Sequence, residues 1–218
     1  MRINRYVASA LGLSRRKADQ LITEQKVDIN GHTASLGDQV NPNDKVSIGP
    51  RLLSQPKERI VIALNKPVGY VCSRDGQGSK TIYELLPDKY SPLKCVGRLD
   101  KDSTGIILLT NDGVLANQLM HPSFNKEKVY LVSLNKPLTP GDQRKIQSGQ
   151  VMLDNRPSRF IISSSEDNQL KVTLSEGRNR QIRRTFALLG YRVNALKRTS
   201  FGEYSLGDIA PGKFKIIS

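Results

Sequence analysis

The chain has 218 residues, and its 34 Lys and Arg against 20 Asp and Glu give a formal net charge of +14. The length suits one large domain or two smaller ones, and the 37% hydrophobic content predicts a folded core. Its longest apolar runs are too short to span a bilayer, its N terminus has no apolar secretory segment, and two cysteines cannot form a disulfide framework. We therefore expect a cytoplasmic protein that does not enter membranes.

The excess positive charge is concentrated in two segments. Residues 1–20 contain five cations against one carboxylate, and residues 176–200 contain seven cations against one. A clustered excess favours a binding surface over general solubility. Nucleic acid is the leading candidate partner, because Lys and Arg neutralise its phosphates.

The first 50 residues are predicted to form a small module of two helices and a hairpin. Apolar residues at positions 3, 7 and 11 mark the buried face of a first helix, and Ser14 is placed to cap a second. A strand at 27–29 leads into the hairpin turn Asn30-Gly31, and a last strand covers 45–48.

The predicted second helix begins with three cations, Arg15, Arg16 and Lys17. Positive charge at a helix N terminus opposes the helix dipole, so these side chains do little for stability. Two interpretations remain equally open from these residues alone: a ligand-binding surface, or an ordinary solvated helix end.

Residues 51–59 are predicted to be a linker, because residues 49–59 contain two prolines and no periodicity. Residues 60–218 are predicted to form an α+β domain with a mixed, largely antiparallel sheet, since several strand pairs are joined by loops too short for crossovers. The predicted strands cover residues 60–65, 69–73, 94–99, 105–110, 128–134, 158–163, 169–175, 192–197 and 212–217. The predicted helices cover residues 81–86, 113–121, 140–148 and 179–189.

The densest group of reactive side chains lies in residues 97–105, Gly-Arg-Leu-Asp-Lys-Asp-Ser-Thr-Gly, between two apolar strands. Arg98, Asp100 and Asp102 alternate, so in an extended conformation they would project to one side. By composition alone a polar capping turn is the simpler interpretation. The sequence has no metal-ligand spacing, P-loop or dinucleotide fingerprint, so we expect neither a metal nor a small-molecule cofactor.

Residues 97–105 and the following Ile-Ile-Leu-Leu-Thr-Asn-Asp-Gly resemble the signature of the pseudouridine synthases that modify ribosomal RNA. The subgroup is the one typified by small-subunit synthase A and large-subunit synthases B, E and F. Residues 64–71 resemble its first core strand, residues 127–132 its tyrosine motif, and residues 176–184 its basic helix motif. Residues 1–50 resemble the RNA-binding domain first seen in ribosomal protein S4.

The resemblance implies that this chain isomerises one uridine of ribosomal RNA to pseudouridine after flipping it out. It implies that Asp100 is the catalytic aspartate, Tyr130 stacks on the flipped base, and Arg183 is the ion-pair partner of Asp100. The carboxylate either attacks the anomeric carbon or takes the ribose 2′ proton, and the sequence does not choose between these routes.

The remaining site residues are those expected to hold RNA. They are Arg2, Arg5, Ser14, Arg15, Arg16, Lys17, Lys66, Arg98, Arg178, Arg180 and Arg184. The basic helix motif, with Leu-Lys-Arg-Thr at 196–199, is more similar to the large-subunit members, which favours 23S over 16S ribosomal RNA. We expect a monomer acting on ribosomal RNA or a precursor particle. The alternatives are a non-catalytic RNA-binding or ribosome-assembly protein, and a glycosylase that releases uracil.

Overall fold

The chain divides into two compact units, one built from residues 1–60 with 92–94 and the other from residues 61–91 with 95–218. This is a computed structural model, and it describes residues 1–54, 58–164 and 169–217. The predicted linker therefore falls partly on residues 55–57, which lie outside the described residues. Within the described residues, no helix is long and apolar enough to cross a bilayer.

The smaller unit packs two helices against an antiparallel sheet with the strand order β2-β1-β3-β4. Its elements are α1 (Ile3–Leu11), α2 (Arg15–Thr23), β1 (Asp28–Ile29), β2 (His32–Thr33), β3 (Val46–Ile48) and β4 (Arg51–Leu53). Ile3, Val7, Ala18 and Ile22 form the helical side of its core. Strand β4 was predicted as linker. It is a strand because Leu53 is buried in that core and pairs with Val46 of β3.

The larger unit is built on one mixed sheet, as predicted. Within the described residues its strand order is β11-β12-β8-β13-β7-β5-β15, with β14 beside β13 and β6 beside β7. The β13–β7 pair is parallel, whereas β11–β12, β12–β8, β8–β13, β13–β14, β7–β5 and β5–β15 are antiparallel. The strands of this sheet are β5 (Val61–Lys66), β6 (Lys94–Val96), β7 (Thr104–Thr110), β8 (Lys128–Leu134), β11 (Ile161–Ser164), β12 (Leu170–Leu174), β13 (Val193–Phe201), β14 (Tyr204–Ser205) and β15 (Phe214–Ile216).

Helices and one small hairpin complete the larger unit. The helices are α3 (Gly113–Met120), α4 (Pro140–Ser148) and α5 (Gln181–Leu188), with short 3₁₀ turns at Ile82–Leu85, Asp88–Tyr90 and Pro122–Phe124. The hairpin pairs β9 (Met152–Leu153) with β10 (Arg156–Pro157). It was not predicted, because its strands are too short to show a period. Its turn residues Asp154 and Asn155 both have positive φ, which is typical of a two-residue hairpin turn.

Two predicted elements near the N terminus of this unit differ in the structure. The strand predicted at 69–73 is reduced to a single bridge between Val71 and Thr81, because Gly69 has φ +92° and turns the chain. The helix predicted at 81–86 is the 3₁₀ turn Ile82–Leu85, started by a capping box of Thr81 and Glu84. Four residues are too few for an α-helix stabilised by its own hydrogen bonds.

Strands β5 and β7 form the buried centre of the sheet. All six residues of β5 are buried, as are six of the seven residues of β7. The loop of residues 97–103 connects β6 to β7 and therefore starts and ends on strands of the same sheet. A loop anchored at both ends in this way holds its side chains in fixed positions.

Candidate active site

A cavity of about 1050 Å³ opens over the larger sheet, and it brings together residues from distant parts of the sequence. Asp100 comes from the loop between β6 and β7, and Tyr130 from strand β8. Arg178 and Arg180 reach the cavity from the segment before α5, and Arg98 from the same loop as Asp100. Two of the three predicted catalytic residues, Asp100 and Tyr130, therefore line the same cavity. Three of the predicted RNA-binding arginines line it as well.

The loop that carries Asp100 is fixed from below by a buried lysine. The Nζ of Lys66 donates to the carbonyl oxygens of Ser103 at 2.6 Å, Pro67 at 3.0 Å and Lys101 at 3.4 Å. Burial lowers the pKa of Lys66, although the nearby negative groups, including Asp100 and Asp102, partly oppose this. Lys66 is fully buried, which leaves it no exposed surface for the predicted contact with RNA. Its function here is to hold the loop.

A second buried group supports the same loop from the side of Leu99. The Sγ of Cys72 accepts a hydrogen bond from the Leu99 N–H at 3.3 Å. Hydrogen bonding with Cys95, together with the Leu99 N–H and the charges of Lys66 and Arg198, outweighs burial and lowers the pKa of Cys72 to about 6. The residue immediately before Asp100 is thus held by its backbone.

Arg180 joins the two carboxylates of the loop. Its Nη1 and Nη2 each donate to Asp102 at 3.1 Å, and Nη1 lies 3.4 Å from Oδ2 of Asp100. Burial alone would raise the pKa of Asp102. The hydrogen bonds from Arg180 and the charges of Arg183 and Arg180 overcome this, so the pKa of Asp102 lies below its usual range. A bidentate arginine pair of this kind fixes orientation as well as charge.

Arg183 occupies a different position from the one predicted. Its Nη2 donates to the backbone oxygen of Asp102 at 2.9 Å, its Nη1 donates to Val193 O at 2.9 Å, and its Nε lies 3.4 Å from Asp102 Oδ2. Among the described residues, the ion-pair partner of Asp100 is Arg180 and not Arg183. The difference arises because Arg183 lies three residues after Arg180, inside α5, where it reaches the backbone oxygen of Asp102.

The backbone conformation of Arg180 explains why that side chain faces the loop. Arg180 is the residue before the first turn of α5, and its φ of +48° and ψ of +32° lie in the left-handed region. This conformation is strained for a non-glycine residue, and strain of this kind is found in turns and at functional sites. The turn redirects the chain so that Arg180 points to Asp100 and Asp102.

Tyr130 lies on the sheet that forms the floor of the cavity. It is 8% exposed and pairs across the strands with Arg198 of β13 and Val172 of β12. Side chains at paired positions stand next to each other on the same face of a sheet. The aromatic ring is therefore part of a rigid wall rather than of a loop.

Two of the arginines predicted to bind RNA instead hold the β9–β10 hairpin. Arg178 donates to the carbonyl oxygens of Leu153 at 2.8 Å and Pro157 at 2.7 Å, and it pairs with Glu176 at 3.2 Å. Arg184 forms a two-pronged ion pair with Asp154 in the hairpin turn. These contacts use most of the hydrogen-bonding capacity of Arg178, so its role in the structure is to position the hairpin beside the cavity.

The predicted RNA-binding residues of the smaller unit lie on its surface. Ser14 caps α2, since its Oγ accepts the N–H of Lys17 at 3.1 Å. All five predicted cations of this unit are exposed, namely Arg2, Arg5, Arg15, Arg16 and Lys17. Their exposure is compatible with phosphate contacts, whereas Ser14 contributes to the start of the helix, where its carbonyl oxygen also accepts the Ala18 N–H at 3.0 Å.

Sequence reasoning missed several residues of the site. Asp102 was noted only for its alternation with Asp100, Arg156 comes from the unpredicted hairpin, and Lys128 and Arg198 were not assigned a role although both line the cavity. The position of Lys128 two residues before Tyr130 on a strand is a signal, because both side chains then face the same side.

Comparisons with known proteins place the two parts of the chain in known families. A family model described as RNA pseudouridylate synthase matches residues 60–188, and the S4 domain model matches residues 1–46. Among curated proteins, the dual-specificity RNA pseudouridine synthase RluF of Escherichia coli K12 is 36% identical, over 100% of this chain and 76% of its own length. The ribosomal small subunit pseudouridine synthase A of Pasteurella multocida is 32% identical, over 100% of this chain and 96% of its own length.

One solved structure covers the same span. A crystal structure of a pseudouridylate synthase is 31% identical and superimposes with a TM-score of 0.72, covering 100% of this chain and 96% of that one. Both units of the chain therefore have counterparts in that structure.

Proposed function

Since the chain belongs to the RNA pseudouridylate synthase family, we propose that it isomerises a uridine of ribosomal RNA to pseudouridine with Asp100 as the catalytic group. The observation that supports this most directly is that Asp100 faces the same cavity as Tyr130 and is held by Arg180. The names of two relatives, a dual-specificity RNA synthase and a ribosomal small-subunit synthase, support RNA as the substrate class.

The reaction exchanges one bond for another within a single nucleotide. The bond between ribose C1′ and uracil N1 breaks, uracil turns, and a bond forms between C1′ and C5. The proton of C5 leaves and N1 gains one, so that the product is an isomer of uridine. The carboxylate of Asp100 either attacks C1′ or takes the ribose 2′ proton to release uracil, and it is restored when C5 binds.

The neighbouring residues have separate tasks in this proposal. Tyr130 provides an aromatic face for the flipped base and a phenol near C5 to assist removal of its proton. Arg180 holds the Asp100 carboxylate in a fixed position, and Asp102 in turn fixes Arg180. Arg183 joins the loop to the start of β13 through Asp102 O and Val193 O. Fixed geometry of this kind provides much of the rate gain in a unimolecular reaction.

The cations of the smaller unit and Arg98 hold the RNA backbone in this proposal, as structured RNA is recognised mainly by shape and phosphate contacts. Among ribosomal RNAs we favour the 23S molecule, because residues 178–184 and 196–199 are more similar to the large-subunit members. We expect the enzyme to act as a monomer in the cytoplasm.

The test is to incubate the purified protein with unmodified 16S and 23S transcripts and to map pseudouridine chemically. One new pseudouridine in 23S RNA is the expected result, and one in 16S RNA only would correct the choice of subunit. RNA binding without a new pseudouridine would show a non-catalytic protein, and release of free uracil would show a glycosylase. Partially assembled ribosomal particles tested in parallel identify whether a precursor is the better substrate.

A further inference from the structure

Beside Tyr130, the floor of the cavity carries two cations that the proposed mechanism does not use. Arg198 pairs with Tyr130 across strands β13 and β8, and Lys128 pairs with Phe201 on the same two strands. All four residues line the cavity. On the floor of the cavity, the Tyr130 ring therefore lies beside two positively charged side chains, Lys128 and Arg198.

Both charges lie close to one aromatic ring. The Nζ of Lys128 is 5.2 Å from the centroid of the Phe201 ring, and the Cζ of Arg198 is 4.8 Å from the same centroid. The negative face of an aromatic ring attracts a cation, but this interaction is weak compared with that of a true counter-ion. Phe201 therefore positions the two cations without neutralising them.

Arg198 is a buried cation with incomplete hydrogen bonding. The residue is 2% exposed, and its Nε donates to Ile106 O at 2.9 Å. Its Nη2 is buried and has no hydrogen-bond partner among the described residues. A buried donor without an acceptor is unfavourable by about 1–3 kcal/mol, and more when the group is charged.

Lys128 is half-buried and also lacks a carboxylate partner among the described residues. Its Nζ donates to Lys126 O and Ser175 O, both at 3.2 Å, which uses two of its three N–H groups. Burial lowers the pKa of Lys128, and the positive charge of Arg198 lowers it further. The two cations thus repel each other in a partly desolvated place.

The acidic groups of the cavity are already paired elsewhere. Asp100 pairs with Arg180, and Glu176 pairs with Arg178 and accepts from Gln181. Neither Lys128 nor Arg198 has a carboxylate partner among the described residues, so a ligand that enters the cavity beside them is expected to bring negative charge. In RNA the group with a full negative charge is the phosphodiester, and a uracil carbonyl oxygen carries only a partial charge.

We propose that Lys128 and Arg198 form an anion subsite that binds one phosphodiester adjoining the flipped uridine. The subsite lies next to Tyr130, so binding of this phosphate fixes the nucleotide beside the ring. The inference rests on the proposed function, because it requires that a uridine enters this cavity. It assigns to Lys128 and Arg198 the role of substrate-binding residues that the sequence did not reveal.

The test removes the charge from the RNA and from the protein in turn. A short RNA containing the mapped uridine is made in three forms: unmodified, with an uncharged methylphosphonate on the 5′ side of that uridine, and with one on its 3′ side. We expect one of the two methylphosphonates to lower kcat/KM of the wild-type enzyme at least tenfold. Lys128→Gln should lower kcat/KM for the unmodified RNA to a similar extent. For this variant, replacing the unmodified RNA by the RNA with that methylphosphonate should lower kcat/KM by less than a further twofold.

A matched control comes from the opposite face of the same sheet. Lys197 immediately precedes Arg198 and is exposed, so Lys197→Gln removes the same charge from the same strand but not from the cavity. It should retain the full sensitivity of the wild-type enzyme to the methylphosphonate. Arg198→Lys, which retains the charge in a buried place, is expected to retain that sensitivity as well, with an increased KM.

Three results would overturn the subsite. They are wild-type rates that neither methylphosphonate lowers, a Lys128→Gln variant with wild-type kcat/KM, or a Lys128→Gln variant that stays as sensitive as the wild type. The first needs only the wild-type enzyme, so it decides the matter even if a variant fails to fold. Absence of pseudouridine in the unmodified RNA would instead refute the proposed function.

Discussion

The Nη1 of Arg180 lies 3.4 Å from Oδ2 of Asp100, while both terminal nitrogens of the same guanidinium donate to Asp102 at 3.1 Å. Arg180 thus contacts the proposed catalytic carboxylate while it is itself held by a second carboxylate, that of Asp102, two residues further along the loop. Asp102 orients the arginine, and the arginine restrains Asp100. This arrangement gives Arg180 a positioning role that differs from the RNA-binding role predicted from its sequence.

Loss of the Arg180 side chain should therefore slow the reaction more than it weakens RNA binding. For Arg180→Gln we expect kcat to fall by about 100-fold, the size of effect seen when a reacting group is misplaced by about 1 Å. RNA affinity, measured by filter binding, should change by less than about threefold, because Arg180 could provide at most one phosphate contact and a single contact contributes little at moderate salt. Arg184→Gln is the matched control, because Arg184 pairs with Asp154 in the hairpin. Equal losses of kcat in the two variants would contradict the positioning role.

The ion pair of Asp102 should give the protein a stability that depends on pH. The pKa of Asp102 in the folded protein lies below its usual range. Its stabilising contribution is therefore present above about pH 4 and is lost as the pH falls through the folded-state pKa. Asp102→Asn should have a lower Tm than the wild type between pH 5 and 7, and this difference should shrink below pH 4.

The control for that measurement is Asp208→Asn, since Asp208 is exposed and outside the site. Its Tm should follow the wild type at every pH. A Tm difference for Asp102→Asn that remains constant down to pH 3 would show that the carboxylate charge does not contribute.

Lys66 should act on the fold and the loop rather than on RNA binding. Lys66→Met removes the donor shared by the carbonyl oxygens of Pro67, Lys101 and Ser103. Leaving buried acceptors unpaired costs about 2 kcal/mol, which lowers the Tm of a chain of this size by about 4–8 °C. Calorimetry and filter binding should show a lower Tm with little change in RNA affinity. The opposite pattern would restore the RNA-binding interpretation.

The exposed cations of α2 are expected to bind RNA phosphates. Arg16→Ala combined with Lys17→Ala should weaken RNA binding and reduce the slope of log affinity against log salt concentration by about 1–2. The turnover of saturating RNA should remain near the wild-type value. Since Ser14 caps the helix through the backbone N–H of residue 17, the cap survives both substitutions. Unchanged affinity and slope would refute this docking surface.

Much of the fold followed from local patterns. The strand Lys128–Leu134 and the helix Pro140–Ser148 have the predicted bounds, because each combines a clear period with a defined end, such as Thr139 capping the helix through the Asp142 N–H. The strand predicted at 69–73 was wrong, because alternation there is interrupted by the positive φ of Gly69. Strand β4 was missed because three residues beside a proline carry no measurable period.

The family resemblance of the sequence is confirmed by the comparisons, whereas the contacts inside the site were predicted only in part. The resemblance grouped Asp100, Tyr130 and the basic helix motif, but it assigned Arg183 as the partner of Asp100, and the structure has Arg180 there. That choice depends on the left-handed turn at Arg180, which propensity does not predict for an arginine. Likewise, burial of Lys66 and Arg198 contradicts the usual exposure of cations.

The most direct test of the account is the rate of pseudouridine formation by Asp100→Asn in a single turnover on the mapped RNA. The amide has the shape of the carboxylate but cannot attack C1′ or accept a proton as the carboxylate does. We predict RNA affinity close to the wild-type value and no detectable product, while Asp102→Asn retains a reduced but measurable rate. Undiminished product with Asp100→Asn would contradict the central claim that this carboxylate performs the chemistry.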